Sequence, residues 1–369
     1  MKAVIIGSGM IGEIHRRSAL LAGAEIVGVM ASSPVRSEEA AVKWHTKAVR
    51  GLEEIAGLQP DVVHVCSPNA LHEAHVAAAL QAGAHVICEK PLATSVESAQ
   101  RLLGLAEQHR RIATVPYVYR FHPLIRELRA RVKAGEFGKW QLLHGSYLQD
   151  WLLDPLATSW RVSAKVGGES RAFADIGSHW CDLVEFVTGE RIASLIASAT
   201  ITVPERPEKS AATFGGAREG GALVKVETED AASIMFKTQT GVLGSVVVSQ
   251  VSAGRKNRLW FELDGAHQSA VFDQELPESV WIGTEFGACI INRDPSQGAE
   301  DQRRLSSLPP GHAQGYAQCF DNFVRDTYDA IRGTIHDGLP GFADGVRSTR
   351  IIDAVMHSAR TQQWVAVQA

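Results

Sequence analysis

Lys2-Ala3-Val4-Ile5-Ile6-Gly7-Ser8-Gly9-Met10-Ile11-Gly12-Glu13-Ile14-His15 joins an apolar run, a glycine turn and an amphipathic stretch without a break. The run from Ala3 to Ile6 is short and rich in branched side chains, as a buried strand requires. Three glycines follow at the spacing GxGxxG. Gly7 permits a tight turn, Gly9 lets the backbone approach a pyrophosphate, and Gly12 allows the next helix to pack closely. That helix presents its N-terminal N–H groups and the positive end of its dipole to the anion. The spacing alone is a weak signal. Its position between a strand and a helix predicts dinucleotide binding by Gly7, Gly9, Met10, Ile11 and Gly12.

The same alternation continues outward. Glu25–Met30, Val62–Cys66, His85–Cys88 and Ile112–Val115 read as further buried strands, with helices at 11–22, 36–45, 51–57, 71–82 and 95–109. Strands alternating with helices imply a parallel sheet with crossover helices. After residue 120 the pattern changes: Gln141–Leu148, Ala231–Lys237, Val242–Val248, Leu259–Leu263 and Ala270–Phe272 read as strands separated by turns. Thr240-Gly241 and Asp264-Gly265 sit where hairpins need positive φ. Helices are expected at 122–134, 175–188, 313–332 and 343–361, the last two from the helical spacing of their apolar residues. The fold class is therefore α/β: a doubly wound parallel sheet over 1–120, then an α+β domain over 121–369 with a large, open, mostly antiparallel sheet.

Bulk properties agree with two domains. The chain has 369 residues, 45% hydrophobic and 21% charged, more than one core usually organises. A net charge of −4 gives no electrostatic footprint for nucleic acid or an anionic membrane surface. No stretch approaches a membrane span, and Ala3–Ile6 is too short for a secretory apolar region. Five cysteines without CxxC spacing argue for reduced thiols and a cytoplasmic location.

Cofactor choice is read at the end of the second strand, where an acidic residue would bond the ribose hydroxyl of NAD. Ala31-Ser32-Ser33-Pro34-Val35-Arg36 stands there instead. Ser32, Ser33 and Arg36 can hold the extra phosphate of NADP. Equally, the serines can cap the next helix and leave Arg36 in solvent or stacked on adenine.

Val65-Cys66-Ser67-Pro68-Asn69-Ala70-Leu71-His72 and Cys88-Glu89-Lys90-Pro91-Leu92 resemble the signature of the glucose–fructose oxidoreductase, inositol dehydrogenase and rhizopine-catabolism (Gfo/Idh/MocA) family. Trp160-Arg161, Gly167-Gly168 and Asp175-Ile176-Gly177-Ser178-His179-Trp180-Cys181-Asp182 extend the resemblance, which runs along essentially the whole chain. It implies that the Ser67-Pro68-Asn69 segment, with His72, and the Glu89-Lys90-Pro91 segment wrap the nicotinamide half of the cofactor. Trp160 and Arg161 occupy positions that reach back to it. It further implies a homodimer or homotetramer formed through the second domain's sheet.

Oxidising a secondary alcohol needs a base for the hydroxyl proton and positive charge beside the developing alkoxide. Asp175 and His179 stand at i and i+4 and share one helical face, so the carboxylate can orient the imidazole. Lys90 follows a strand of the first domain, at the end where α/β sheets place ligands. The expectation is His179 as base, Asp175 as its orienting partner and Lys90 as alkoxide stabiliser. The bland alternative makes Asp175 a helix cap and His179 a satisfied core histidine. Asp175, His179 and Asp182 also share a helical stripe of ligand types, but no second cluster completes a metal site, so none is expected. Arg120, Trp151, Arg255 and Lys256 are further substrate candidates, Trp151 for stacking on a sugar face and the two cations for an anionic substituent.

These residues fit an NAD(P)-dependent oxidoreductase acting on a sugar, glycoside or polyol. Asp150-Trp151-Leu152 and Ser252 to Asn257 look most like the sugar and glycoside dehydrogenases of the family, which tilts the cofactor toward NAD. The same three groups would serve a glycosidase that retains NAD and oxidises C3 transiently. A sensor that binds the dinucleotide without chemistry is disfavoured by the joint presence of Lys90, Asp175 and His179.

Overall fold

A computed structural model describes residues 1–208 and 221–368. The chain divides into two compact units, Met1–Tyr117 with Phe320–Thr349, and Val118–Cys319 with Arg350–Ala369. The first holds β1 (Lys2–Ile6), α1 (Met10–Leu21), β2 (Glu25–Met30), α2 (Pro34–Trp44), β3 (Val62–Val65), α3 (His72–Gln81), β4 (His85–Cys88), α4 (Val96–Gln108) and β5 (Ala113–Thr114). Its strands form one parallel sheet in the order β2-β1-β3-β4-β5. Chain reversal through crossover helices leaves each strand apolar on both faces, so Ala3–Ile6, Val62–Val65 and Val86–Cys88 are all buried. Val4, Val63, Val86, Leu102 and Val115 pack with Phe342 and Val346, far downstream in sequence, into one core.

The second unit contains α5 (Pro123–Lys133), β6 (Trp140–Leu148), α6 (Ala164–Gly167), α7 (Ser178–Thr188), β7 (Ile192–Thr200), β8 (Glu205–Pro207), β9 (Leu223–Lys225), β10 (Ala231–Thr238), β11 (Leu243–Ser249), β12 (Arg258–Gly265), β13 (Ser269–Asp273), β14 (Ser279–Thr284), β15 (Gly287–Asn292) and α8 (Glu300–Leu305). The boundary between the units falls within α9 (Tyr316–Ile331) and α10 (Phe342–Thr361), and β16 (Val365–Ala366) follows. Nine strands make one sheet in the order β15-β14-β13-β12-β6-β11-β10-β7-β16. Only β6 and β11 pair in parallel; the other neighbours are antiparallel. Alternation sends Tyr147, Phe236, Val246, Phe261 and Phe272 into a core shared with Trp180 of α7. Trp180 Nε1 donates to the Trp260 carbonyl at 2.9 Å, and a Cβ on Gly145 would lie 2.5 Å from that indole nitrogen. Gly145 is therefore the residue that lets the tryptophan lie on the sheet.

Three local expectations change. Residues 51–57 form two short 3₁₀ turns, Leu52–Glu54 and Ala56–Leu58, because Gly51 and Gly57 break the helical run. Gly241 has φ +91° as a hairpin requires. Gly265 instead ends β12 in an ordinary conformation, and a Cβ there would lie 2.2 Å from the Phe137 carbonyl oxygen, so close approach is its requirement. Strands β7, β14 and β15 were not anticipated. Ile192–Thr200 is rich in Ala and Ser, and Gly287–Asn292 is largely exposed, so neither carries clean alternation.

His122 caps α5: its Nδ1 accepts the Leu124 N–H at 3.2 Å, which requires an unprotonated nitrogen. Burial pushes the imidazole down to about 3, Glu278 opposing and Arg293 reinforcing. A base that titrates lower when folded takes up its proton mainly on unfolding. Its penalty is therefore absent above the ordinary value of 6.5 and grows as the pH falls toward 3. At pH 5 the cost is about 2 kcal/mol. Denaturant unfolding at pH 7 and pH 5 should show the wild type losing about that much more than His122→Asn, which keeps a capping acceptor but does not titrate.

Candidate active site

The glycine loop of the first unit has little room for side chains. Gly7 has φ +110°, and a Cβ on it would lie 2.5 Å from the Cys66 carbonyl oxygen, while one on Gly12 would meet the Gly7 oxygen at 1.9 Å. Gly9 caps α1 without any side-chain hydrogen bond, so no side chain competes for the first-turn N–H groups. This backbone cradle fits a pyrophosphate. Met10 is 42% exposed and Ile11 half-buried at its rim. Past β2, Ser33 Oγ accepts the Arg36 N–H at 3.3 Å as the N-cap of α2, and Arg36 reaches Ser32 Oγ at 3.2 Å. The capping alternative therefore describes Ser33, while Arg36 stays at the surface beside Ser32.

His72 staples the two segments that follow β3 and β4. Its ring nitrogens lie 2.9 Å from the carbonyl oxygens of Ser67 and Pro91, and the ring is fully buried. Ser67 Oγ bonds His75 Nδ1 at 2.8 Å, and Pro68 leads into the 3₁₀ turn Asn69–Leu71. Glu89 is buried, with Oε1 3.0 Å from His15 Nε2 and Oε2 accepting the Lys90 N–H at 3.1 Å. Burial works against its anion, but His15 and Lys90 outweigh this and hold its pKa below the ordinary carboxylate value.

In the second unit, Asp175 lies in a π-helical turn, Phe173–Gly177, and His179 in the α-helix that continues it. A plain α-helix was expected from residue 175. The wider turn is possible because Gly177 has no side chain: a Cβ there would lie 2.6 Å from the Phe173 ring. Such turns recur at functional sites because they offset side chains from the regular helical stripe. Glu229 holds the start of the turn, accepting the N–H groups of Arg171 and Phe173 at 3.0 and 2.8 Å and Ser170 Oγ at 2.8 Å. Asp175 Oδ2 accepts Gln250 Nε2 at 2.8 Å, and its Oδ1 lies 3.7 Å from Arg161 Nε. Arg161 in turn lies over the Trp160 ring at 4.3 Å.

The His179 ring meets Tyr119 edge-on at 5.3 Å and lies 6.5 Å from the Tyr147 ring. The two hydroxyls are 2.7 Å apart, Tyr147 donates to Asn257 Oδ1 at 2.7 Å, and Asn257 Nδ2 donates to Tyr119 at 2.9 Å. The cycle closes if Tyr119 donates to Tyr147. Burial pushes the Tyr119 phenol up to about 12, so it stays protonated as the cycle needs. Sequence reasoning missed Tyr119, Tyr147 and Gln250, which carry no local motif; only the strand alternation that buries Tyr147 hinted at one of them.

The remaining candidates have partners inside the fold. Arg120 is buried and grips Asp182, Nε to Oδ2 at 2.8 Å with a second bond from Nη2, which answers both charges. Trp151 Nε1 donates to Gln149 at 3.0 Å and packs beside Leu152 and Val226. Arg255 pairs with Glu275 at 3.0 Å and Lys256 with Asp150 at 2.6 Å, both at the surface. Within their loop it is Asn257 that turns toward the tyrosines.

A family model described as "Oxidoreductase family, NAD-binding Rossmann fold" matches residues 1–117, and the GFO/IDH/MocA C-terminal domain model matches residues 125–271. Levoglucosan dehydrogenase of Pseudarthrobacter phenanthrenivorans is 29% identical over 323 residues, covering 83% of this chain and 80% of that protein. A solved levoglucosan dehydrogenase in complex with NADH and levoglucosan superposes with a TM-score of 0.89 at 25% identity, covering 100% of each chain. An inositol dehydrogenase homolog from Azotobacter vinelandii complexed with NAD+ gives a TM-score of 0.87 at 25% identity, over 99% of this chain and 97% of that one.

Because three donors at the start of the π turn converge on Glu229, Glu229→Ala should destabilise the protein by about 2–3 kcal/mol. Glu229→Gln, which keeps an acceptor, should lose less than half of that. Denaturant midpoints of the two variants against the wild type check the order.

Proposed function

Since the chain belongs to the GFO/IDH/MocA oxidoreductase family, we propose that it is an NAD-dependent dehydrogenase oxidising a secondary hydroxyl of a sugar or polyol. The observation that carries the reading is His179, one turn after Asp175, with its ring against those of Tyr119 and Tyr147, whose hydroxyls bond Asn257. Such a wall suits a ring bearing several hydroxyls. The NADH and NAD+ complexes of the related dehydrogenases, and the use of Ser33 as a helix cap, support NAD+ over NADP+.

Gly7, Gly9, Met10, Ile11 and Gly12 hold the cofactor's pyrophosphate, and Ser67, Pro68, Asn69, Glu89, Trp160 and Arg161 serve its nicotinamide half. The chemistry supplied by NAD+ when bound is acceptance of a hydride. His179 accepts the hydroxyl proton, and the Lys90 ammonium stabilises the developing alkoxide. Asp175, held by Gln250 and Arg161, orients His179. We assign Arg120 a structural role and keep Trp151 as a sugar-facing candidate.

A panel of sugars, inositols and glycosides with NAD+ and NADP+, followed at the absorbance band of the reduced nicotinamide, tests the reading. His179→Ala and Lys90→Ala should each lower turnover by at least about 10²-fold with cofactor affinity nearly unchanged. Near-normal turnover in either variant removes that residue's role. Release of phenol from an aryl glycoside over many turnovers, with no cofactor added and no net reduction, would instead establish the redox-assisted glycosidase.

We further propose that the second sheet's outer face joins subunits into a homodimer or homotetramer. Met235, Leu243, Val247 and Ile290 point to that face and are 50%, 46%, 46% and 58% exposed. Exposed apolar side chains gathered on one face suit a protein partner. Among the described residues no helix is long and apolar enough to cross a membrane. Met235→Glu with Val247→Glu should shift the sedimentation coefficient to that of a monomer; an unchanged coefficient overturns this interface.

A further inference from the structure

A line of buried polar groups runs through the first unit. His64 on β3 is fully buried, with its Nδ1 2.9 Å from His15 Nδ1 and its Nε2 2.9 Å from the Tyr328 hydroxyl. His15 Nε2 lies 3.0 Å from Glu89 Oε1, and Glu89 Oε2 accepts the Lys90 N–H at 3.1 Å. His15, His64 and Tyr328 have no exposed surface, and Glu89 is 8% exposed. Water therefore does not satisfy them, and the donors must be matched to acceptors within the chain.

With both imidazoles neutral, only one direction serves an ionised Glu89, which accepts and cannot donate. His15 must then carry its proton on Nε2 and offer Nδ1 as an acceptor. The facing nitrogen of His64 must be an Nδ1–H donor, which leaves His64 Nε2 to accept from the Tyr328 O–H. The reversed direction needs a proton on Glu89, with both imidazole tautomers exchanged. The two arrangements differ by one proton, and in the first the Tyr328 O–H answers the lone pair of His64 Nε2.

We propose that Tyr328 and His64 are positioning residues for Lys90: through His15 they orient Glu89 and keep it an anion immediately before the lysine. The inference rests on the role assigned to Lys90 above. Charged and titratable groups facing Glu89 are His15 on α1, Lys90 itself, His72 on α3, and the thiols of Cys66 and Cys88; Arg332 faces Tyr328. Burial holds His64 far below the usual imidazole range and lifts Tyr328, so His64 stays neutral and the phenol keeps its proton. Loss of the Glu89 anion removes a negative charge next to Lys90 and makes the ammonium easier to deprotonate.

The test compares Tyr328→Phe, His64→Leu and His64→Gln with the wild type. Imidazole ¹⁵N spectra of the whole protein with NAD+ absent should show His64 as the Nδ1–H tautomer and His15 as the Nε2–H tautomer, and Tyr328→Phe should change both. In the pH profile of kcat/KM, Tyr328→Phe and His64→Leu should move the alkaline limb down by about one unit, a tenfold loss above it. His64→Gln should restore the profile, since its amide donates to His15 and accepts from Tyr328. Unchanged tautomers, or an unmoved limb in Tyr328→Phe while Lys90→Ala is inactive, overturn the positioning role and leave the lysine's own role intact. Full turnover in Lys90→Ala fails the lysine's role alone, and the tautomers still decide the chain.

Discussion

Two adjacent carboxylates, Glu229 and Asp230, precede β10 and anchor a cluster of the second unit's buried charge. Asp230 faces both Arg171 and Arg206, whose side chains are fully buried, and also accepts from the Thr202 and Val203 N–H groups at 2.7 and 2.9 Å. Arg206 continues to the carbonyls of Leu152, Asp154 and Ala157. Glu229, one residue earlier, takes the N–H groups that open the π turn. Buried guanidinium groups are tolerable only with such partners. One pair of acids thus ties together the loop behind Trp151, the last residues after β7 and the helix bearing His179. A neutral residue at either position would leave several elements unanchored at once, because each donor there has been taken from water.

Much of this architecture can be read from the chain because it follows from period and turn chemistry. The strands Glu25–Met30 and His85–Cys88 stand where apolar runs put them, and the large sheet is mostly antiparallel as its turns imply. The glycine loop is legible for the same reason, since the requirement at Gly7 and Gly12 is local backbone geometry. What escapes is long-range. Gln250 meets Asp175, and Asn257 meets Tyr119 and Tyr147, across large separations in sequence that no spacing rule encodes. Arg120 is the converse case: a cation near candidate site residues looks like a ligand group until its buried partner Asp182 is seen. The π turn is likewise invisible to a 3.6-residue period, though Gly177 is the residue that admits it.

Polar burial in the first unit has a different logic. Its sheet is apolar on both faces, yet His64 sits in β3 with the burial pattern of a valine. A polar ring at such a position is stable only if both nitrogens are answered, and the two answers come from α1 and α9. Specificity of packing follows: the ring admits one arrangement of its neighbours, where an aliphatic side chain would admit many.

The first unit is built from two stretches of chain, Met1–Tyr117 and Phe320–Thr349. Thr327 reaches Thr114, Tyr328 reaches His64, and Phe342 and Val346 complete the core around Leu92 and Val115. A ribosome delivers the N-terminal stretch long before the piece that closes it. During synthesis the nascent sheet therefore waits with part of its apolar surface open until the second unit, and then α9, have emerged. Fragments ending near residue 120 should be prone to chaperone capture, and the completed chain gains its nucleotide-binding half almost last.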